Sequence, residues 1–145
     1  MAVDYIAIWL YSYDMPLKAT VTKLKALADP TRLKMVALLA QRPFCVCELT
    51  VALGLSQPTV SRHLQQLEAA GFLVSERQGS WVIYHLQPAD EDTAHFLDLV
   101  LRWLAEDADL KGLIQMAVRL DRHECSKKMR EASSTYQSKE DTDGH

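Results

Sequence analysis

Apolar residues along the chain fall into short helical stripes, interrupted once by a β-rich stretch. From Leu17 to Ala28, Val21, Leu24 and Ala28 recur at i, i+3 and i+7, the spacing of one helix face. Asp29-Pro30 reads as a helix start, with Asp as N-cap and Pro at the first helical position. The second helix carries Leu33, Val36, Ala37 and Ala40 on one side until Pro43 stops it. Phe44 to Leu53, FCVCELTVAL, predicts a short apolar helix closed by Gly54. Ser56 then caps another helix, with Pro58 in its first turn. That helix runs to about Ala70 with Val60, Leu64 and Leu67 inward, and Gly71 ends it. Two helices joined by a short Gly-containing turn have the helix-turn-helix layout.

After Gly71 the period changes. Phe72-Leu73-Val74 and Trp81-Val82-Ile83-Tyr84 are strand-like runs flanking Arg77-Gln78-Gly79-Ser80, which predicts a two-stranded wing. Pro88 breaks the pattern, and Asp90, Glu91 and Asp92 suit a helix N-terminus. Phe96, Leu97, Val100, Leu101 and Leu104 give one further apolar face, and Leu110, Leu113, Ile114 and Ala117 another. The expected fold class is mainly α with a small β-hairpin: a winged helix-turn-helix, homodimeric through its first and late helices. Residues 1–14, MAVDYIAIWLYSYD, lack helix caps and stand apart as an N-terminal extension. They are either sequence upstream of a true start at Met15 or an arm that packs on a partner subunit. Residues 15–125 form the expected DNA-binding and dimerisation domain, and 126–145 a disordered polar tail with almost no apolar content.

Composition narrows the class. A chain of 145 residues, 48% hydrophobic and 24% charged, reads as one globular domain that needs no disulfide or metal to fold. The apolar run Tyr5–Tyr11 has seven residues, far short of the ~20 that span a membrane. No basic segment precedes that run, so a secretory signal is not expected. Three cysteines are too few, and odd in number, for a disulfide framework. The expectation is a cytoplasmic protein with free thiols and no membrane partner. Net charge is −3, unevenly spread: residues 1–85 hold eight Lys/Arg against six Asp/Glu, and residues 86–145 eight against thirteen. Binding to a polyanion therefore rests on a local patch and on dimerisation.

The candidate patch is the helix after the turn. Ser56, Gln57, Thr59, Ser61, Arg62 and His63 are its polar positions, and Arg77 lies on the wing. Arg suits guanine or phosphate, and Gln and Ser can contact base edges or phosphate. A dimer using two such helices expects double-stranded operator DNA with an inverted repeat. A second candidate is Cys45-Val46-Cys47-Glu48-Leu49, two soft donors that suit thiophilic ions over hard ones. In a regular helix, positions i and i+2 point roughly 200° apart, so Cys45 and Cys47 could converge on one ion only by distorting the helix start.

Leu27-Ala28-Asp29-Pro30-Thr31-Arg32-Leu33, together with QPTVSRHLQQLEAAGFL from Gln57 to Leu73, resembles the ArsR/SmtB family of metal-responsive repressors. The likeness covers residues from about 17 to about 105. It implies a homodimeric winged-helix repressor, not an enzyme, that leaves its operator when a metal or metalloid binds. The Cys-Val-Cys-Glu-Leu stretch resembles the core of the family's arsenic sensors, which implies As(III) or Sb(III) as inducer. One departure stands out: Thr50 occupies the position where many such sensors carry a third cysteine. The metalloid must then use Cys45 and Cys47 with another donor, or recruit Cys125, which otherwise is a tail thiol. A zinc site of the family's other type would need a second histidine near His95, Asp92 and Asp98, and residues 99–122 contain none. The alternatives are a Cd/Pb/Zn-responsive repressor, a thiol-redox protein using Cys45/Cys47, and a DNA-binding protein without an inducer. The missing N-terminal cysteines argue against the first, and the missing βαβ pattern against the second.

Overall fold

A computed structural model describes residues 16–140, so the extension 1–14 and the question of Met15 lie outside the described residues, as do 141–145. In chain order the elements are α1 (Pro16–Leu27), α2 (Pro30–Leu39), β1 (Phe44–Cys45), α3 (Val46–Leu53) and α4 (Gln57–Ala69). Then come β2 (Leu73–Gln78), β3 (Trp81–Leu86), α5 (Glu91–Leu104), α6 (Ala108–Ala117) and α7 (Arg122–Glu140).

Local signals set most of these boundaries. The Asp29 carboxylate accepts the Arg32 N–H at 3.0 Å, with Pro30 beginning α2. That bond holds the Asp29 carboxyl below its usual range. Ser56 caps α4 by accepting the Thr59 N–H, and Asp90 caps α5 through Thr93. Gly54 ends α3 in the left-handed region at φ +64°, which only glycine adopts without strain. No atom lies within 4 Å of where its Cβ would sit, so backbone conformation and not space reserves the position.

The strands form one antiparallel sheet in the order β1-β3-β2. β2 and β3 pair from Leu73 opposite Leu86 to Gln78 opposite Trp81, so the loop of the wing is only Gly79-Ser80. Gly79 at φ +61° supplies the positive φ that two-residue hairpins need. Met35, Val36 and Leu38 of α2, Leu49 of α3, Val60, Leu64 and Leu67 of α4, and Phe44 and Phe72 are all fully buried in one core. Each such side chain contributes about 2 kcal/mol by leaving water. The helix-turn-helix is thus clamped from behind by α2.

The structure departs from the sequence reading in two places. Phe44 and Cys45 are not the start of a helix: they pair with Tyr84 and Ile83 as β1, and Cys45 caps α3. A two-residue strand is too short to show alternation. The Val21–Leu24 stripe of α1 shares one face, as expected, and that face is exposed, while Ala26 and Leu27 enter the core. Residues 126–140, expected to be disordered, are helical as part of α7. Low apolar content hid the cause: Cys125 and Met129 stand one helical turn apart and dock on the cluster around Ile83.

Candidate nucleic-acid interface and buried thiol cluster

α4 presents its solvent side between the turn and the wing. Gln57 and Arg62 are exposed, and Ser61 is half-buried. Ser56 and Thr59 share a hydroxyl–hydroxyl contact of 2.8 Å, so both belong to the cap that orients the helix start. Arg77 is exposed on β2, opposite Val82. His63, expected on the reading face, turns the other way. Its Nδ1 lies 3.0 Å from the Arg32 guanidinium. Arg32 also donates to Gln66 Oε1 at 2.6 Å and to the carbonyls of Lys25 and Ala26. His63 and Arg32 therefore brace α4 against the α1–α2 corner, a pairing 31 residues apart that no local pattern announces.

Gln57, Ser61 and Gln65, each one turn apart, form one wall of a cleft of about 690 Å³. Ser80 and Trp81 of the wing, Cys45 and Cys47, and Met129 and Arg130 of α7 line the same cleft.

The three cysteines are free and buried, and the fold brings all of them together. Cys45, Cys47 and Cys125 share one cluster with Ile83, flanked by Val51, Trp81, Leu120 and Met129. Cys45 lies outside the helix with extended backbone (φ −81°, ψ 160°), so the opposed directions expected for i and i+2 do not arise. Its thiol lies against that of Cys47. Cys47 Sγ sits 3.4 Å from Ser126 Oγ, which donates to it, and 3.7 Å from the Arg122 carbonyl. These contacts reach the first turns of α7, which carries Cys125. Among the described residues no three His, Cys, Asp or Glu side chains are already spaced to hold a metal, so binding one ion with all three sulfurs requires them to move closer. His95, Asp92 and Asp98 are exposed on α5.

The electrostatics favour neutral thiols. Burial, followed by the contact with Cys47, pushes the Cys45 thiol up. Burial and the nearby Cys47 and Glu48 push Cys125 up to about 11. Glu48 is itself 2% exposed and completes a capping box: it accepts the Cys45 N–H at 2.9 Å while Cys45 Sγ accepts the Glu48 N–H at 3.4 Å. Arg42 neutralises it at 2.8 Å, donates to the Leu120 carbonyl at 2.9 Å and lies over the Phe44 ring. Neither Arg42 nor Glu48 stood out in the sequence. The available signal was Glu at the third helical position, obscured because cysteine is a rare N-cap.

The chain is similar to known bacterial regulatory proteins. The profile described as bacterial regulatory protein, arsR family, matches residues 29–75. The arsenic resistance transcriptional regulator ArsR1 of Pseudomonas putida is 46% identical over 97 residues, covering 66% of this chain and 73% of that protein. A homodimeric winged helix-turn-helix DNA-binding domain from Mycobacterium bovis superposes with a TM-score of 0.54 at 33% identity, covering 63% of this chain and 83% of that one. The antimony-specific transcriptional repressor AntR superposes with a TM-score of 0.52 at 29% identity, covering 65% and 84%. No helix among the described residues is long and apolar enough to cross a membrane.

Proposed function

The chain belongs to the arsR family of bacterial regulatory proteins, DNA-binding transcriptional repressors with a winged helix-turn-helix, and we propose that trivalent arsenic or antimony releases it from DNA by bonding to Cys45, Cys47 and Cys125. The observation that carries this reading is the burial of Cys125, 2% exposed, in the same cluster as Cys45 and Cys47. It supplies the third sulfur that Thr50 cannot. The P. putida regulator of arsenic resistance and the antimony-specific repressor AntR point the same way.

The protonation of the cluster favours a metalloid over a divalent cation. Arsenous acid, As(OH)₃, reacts with three neutral thiols to form three As–S bonds, breaking three As–O bonds and releasing three waters. No net proton is released. A divalent cation must instead expel the thiol protons into solution, which a raised Cys45 and a Cys125 near 11 oppose.

DNA is read by α4 and the wing, with Gln57, Ser61 and Arg62 on α4 and Arg77 on the wing, while Ser56 and Thr59 hold the helix start. The reading unit is a homodimer on an inverted repeat. Leu17, Val21 and Leu24 of α1 are 74%, 39% and 51% exposed, and Trp103 of α5 is 67% exposed. This much unpartnered apolar surface on the first and late helices suits a second copy, as does the homodimeric M. bovis neighbour.

The deciding experiment is operator release measured by fluorescence anisotropy. The double variant Cys45→Ser/Cys47→Ser binds operator yet is not released by arsenite, because a hydroxyl matches a thiol in size but is a poor soft-ion ligand. Cys125→Ser needs markedly more arsenite than wild type. Release of the double variant at wild-type arsenite concentration overturns the reading.

A further inference from the structure

α7 leaves the thiol cluster and shares a cleft with the polar side of α4. Its first turns are tied to the wing as well as to the cysteines. Ser126 Oγ accepts the Trp81 indole N–H at 2.9 Å while donating to Cys47. The His123 ring stands edge-on to Trp81 with centroids 4.7 Å apart. The Arg122 guanidinium lies 5.5 Å from the Trp81 ring and donates to Gln78 Oε1 at 3.4 Å. One turn further on, Met129, Arg130 and Ser133 line the same cleft as Gln57, Ser61 and Gln65.

That cleft, of about 690 Å³, is lined by both α7 and α4. A helix that reads bases lies in a major groove ~12 Å wide and ~8.5 Å deep, with a phosphate backbone on either side. With α7 in place, one of those backbones would have to occupy the space α7 fills. We propose that α7 is a latch over the DNA-reading face: docked, as here, it excludes operator, and DNA binding requires it to swing off the wing and α4. Resting on the thiol site proposed above, the latch is what that site controls. A metalloid joining Cys125 to Cys45 and Cys47 ties α7, which must leave, to the start of α3, which stays. Ligand and DNA then compete for the position of one helix, and each weakens the other's binding equally.

The test uses the full chain and a duplex that the protein itself selects from random sequence. Amide hydrogen exchange across residues 122–135 rises when this duplex saturates the protein, with no metalloid present. Unchanged exchange overturns the latch. Slower exchange also overturns it and makes α7 a DNA-contacting arm, through Lys127, Lys128 and Arg130. A Met129→Asp variant sets a carboxylate against the apolar ground around Ile83 and Trp81 and frees α7. If the docked form is populated ten to one, operator affinity without metalloid rises about tenfold. An affinity equal to or below wild type overturns the proposal. Arsenite added to the free wild-type protein slows exchange in α7. Unchanged exchange, in a protein whose Cys45→Ser/Cys47→Ser variant has lost release, overturns the latch and leaves the thiol site standing. The arsenite-free arms stand if instead the thiol site fails.

Discussion

Changing the pH by one unit separates a metalloid site from a divalent-cation site in the same three cysteines. Cys125 titrates near 11 and burial raises Cys45 as well, so at neutral pH both carry their protons. Ionising Cys125 at pH 7 costs about 5 kcal/mol, four units at 1.36 kcal/mol each. A divalent cation must supply that energy and the corresponding one for Cys45. With at least these two protons displaced, its affinity climbs about a hundredfold or more per pH unit. Arsenous acid takes up each thiol proton as water, so its affinity changes less than about twofold over the same unit, since no net proton is exchanged. The assay is release of labelled operator by arsenite and by cadmium at two pH values, with a phosphine reductant that does not compete as a thiol. Arsenite release that shifts tenfold per unit would refute the neutral-thiol mechanism. Cadmium release that does not shift would show that the thiols are already ionised and that the burial argument fails.

Three further outcomes follow from the geometry. Arg62→Ala weakens operator binding by about 1–3 kcal/mol if Arg62 contacts a base. Anisotropy at matched salt reads this, and unchanged affinity removes Arg62 from the contact set. Leu24→Glu, placing a charge in the exposed α1 stripe, yields a monomer in sedimentation velocity, and an intact dimer excludes that face. Folding stability from urea titration falls above about pH 9, because there the unfolded chain has shed the Cys45 and Cys125 protons that the folded chain keeps, the Cys125 share ending near pH 11. The sign is negative because the native state binds more protons than the unfolded one. Cys125→Ser flattens the decline, and an equal slope in that variant would mean that another group titrates.

Helix starts and stops were legible because each is written within four residues: Asp29 with Pro30, Ser56 with Thr59, Asp90 with Thr93. So was the wing, from two β-rich runs around Gly79, and so was the inward set Val60, Leu64 and Leu67 of α4. The Cys-Val-Cys pair and the resemblance carried by Gln57–Leu73 pointed to a soft-ion sensor on a DNA-binding helix pair. The geometry of the thiols was not legible. Helical periodicity set Cys45 and Cys47 on opposite sides of one helix, but pairing with Ile83 draws Cys45 out to the cap. Cys125 looked like a tail residue until Ser126, Trp81 and Cys47 met from positions 45 and 79 residues apart. His63 turned from the groove because Arg32, on another helix, offered it a partner. The Val21–Leu24 stripe marked α1 as a helix, but periodicity says only that residues share a face, not what covers it. Local dihedral preferences and caps act between neighbours in sequence, so sequence alone determined the elements. Burial, thiol protonation and the position of α7 depend on contacts between distant segments, and only the tertiary structure decided those.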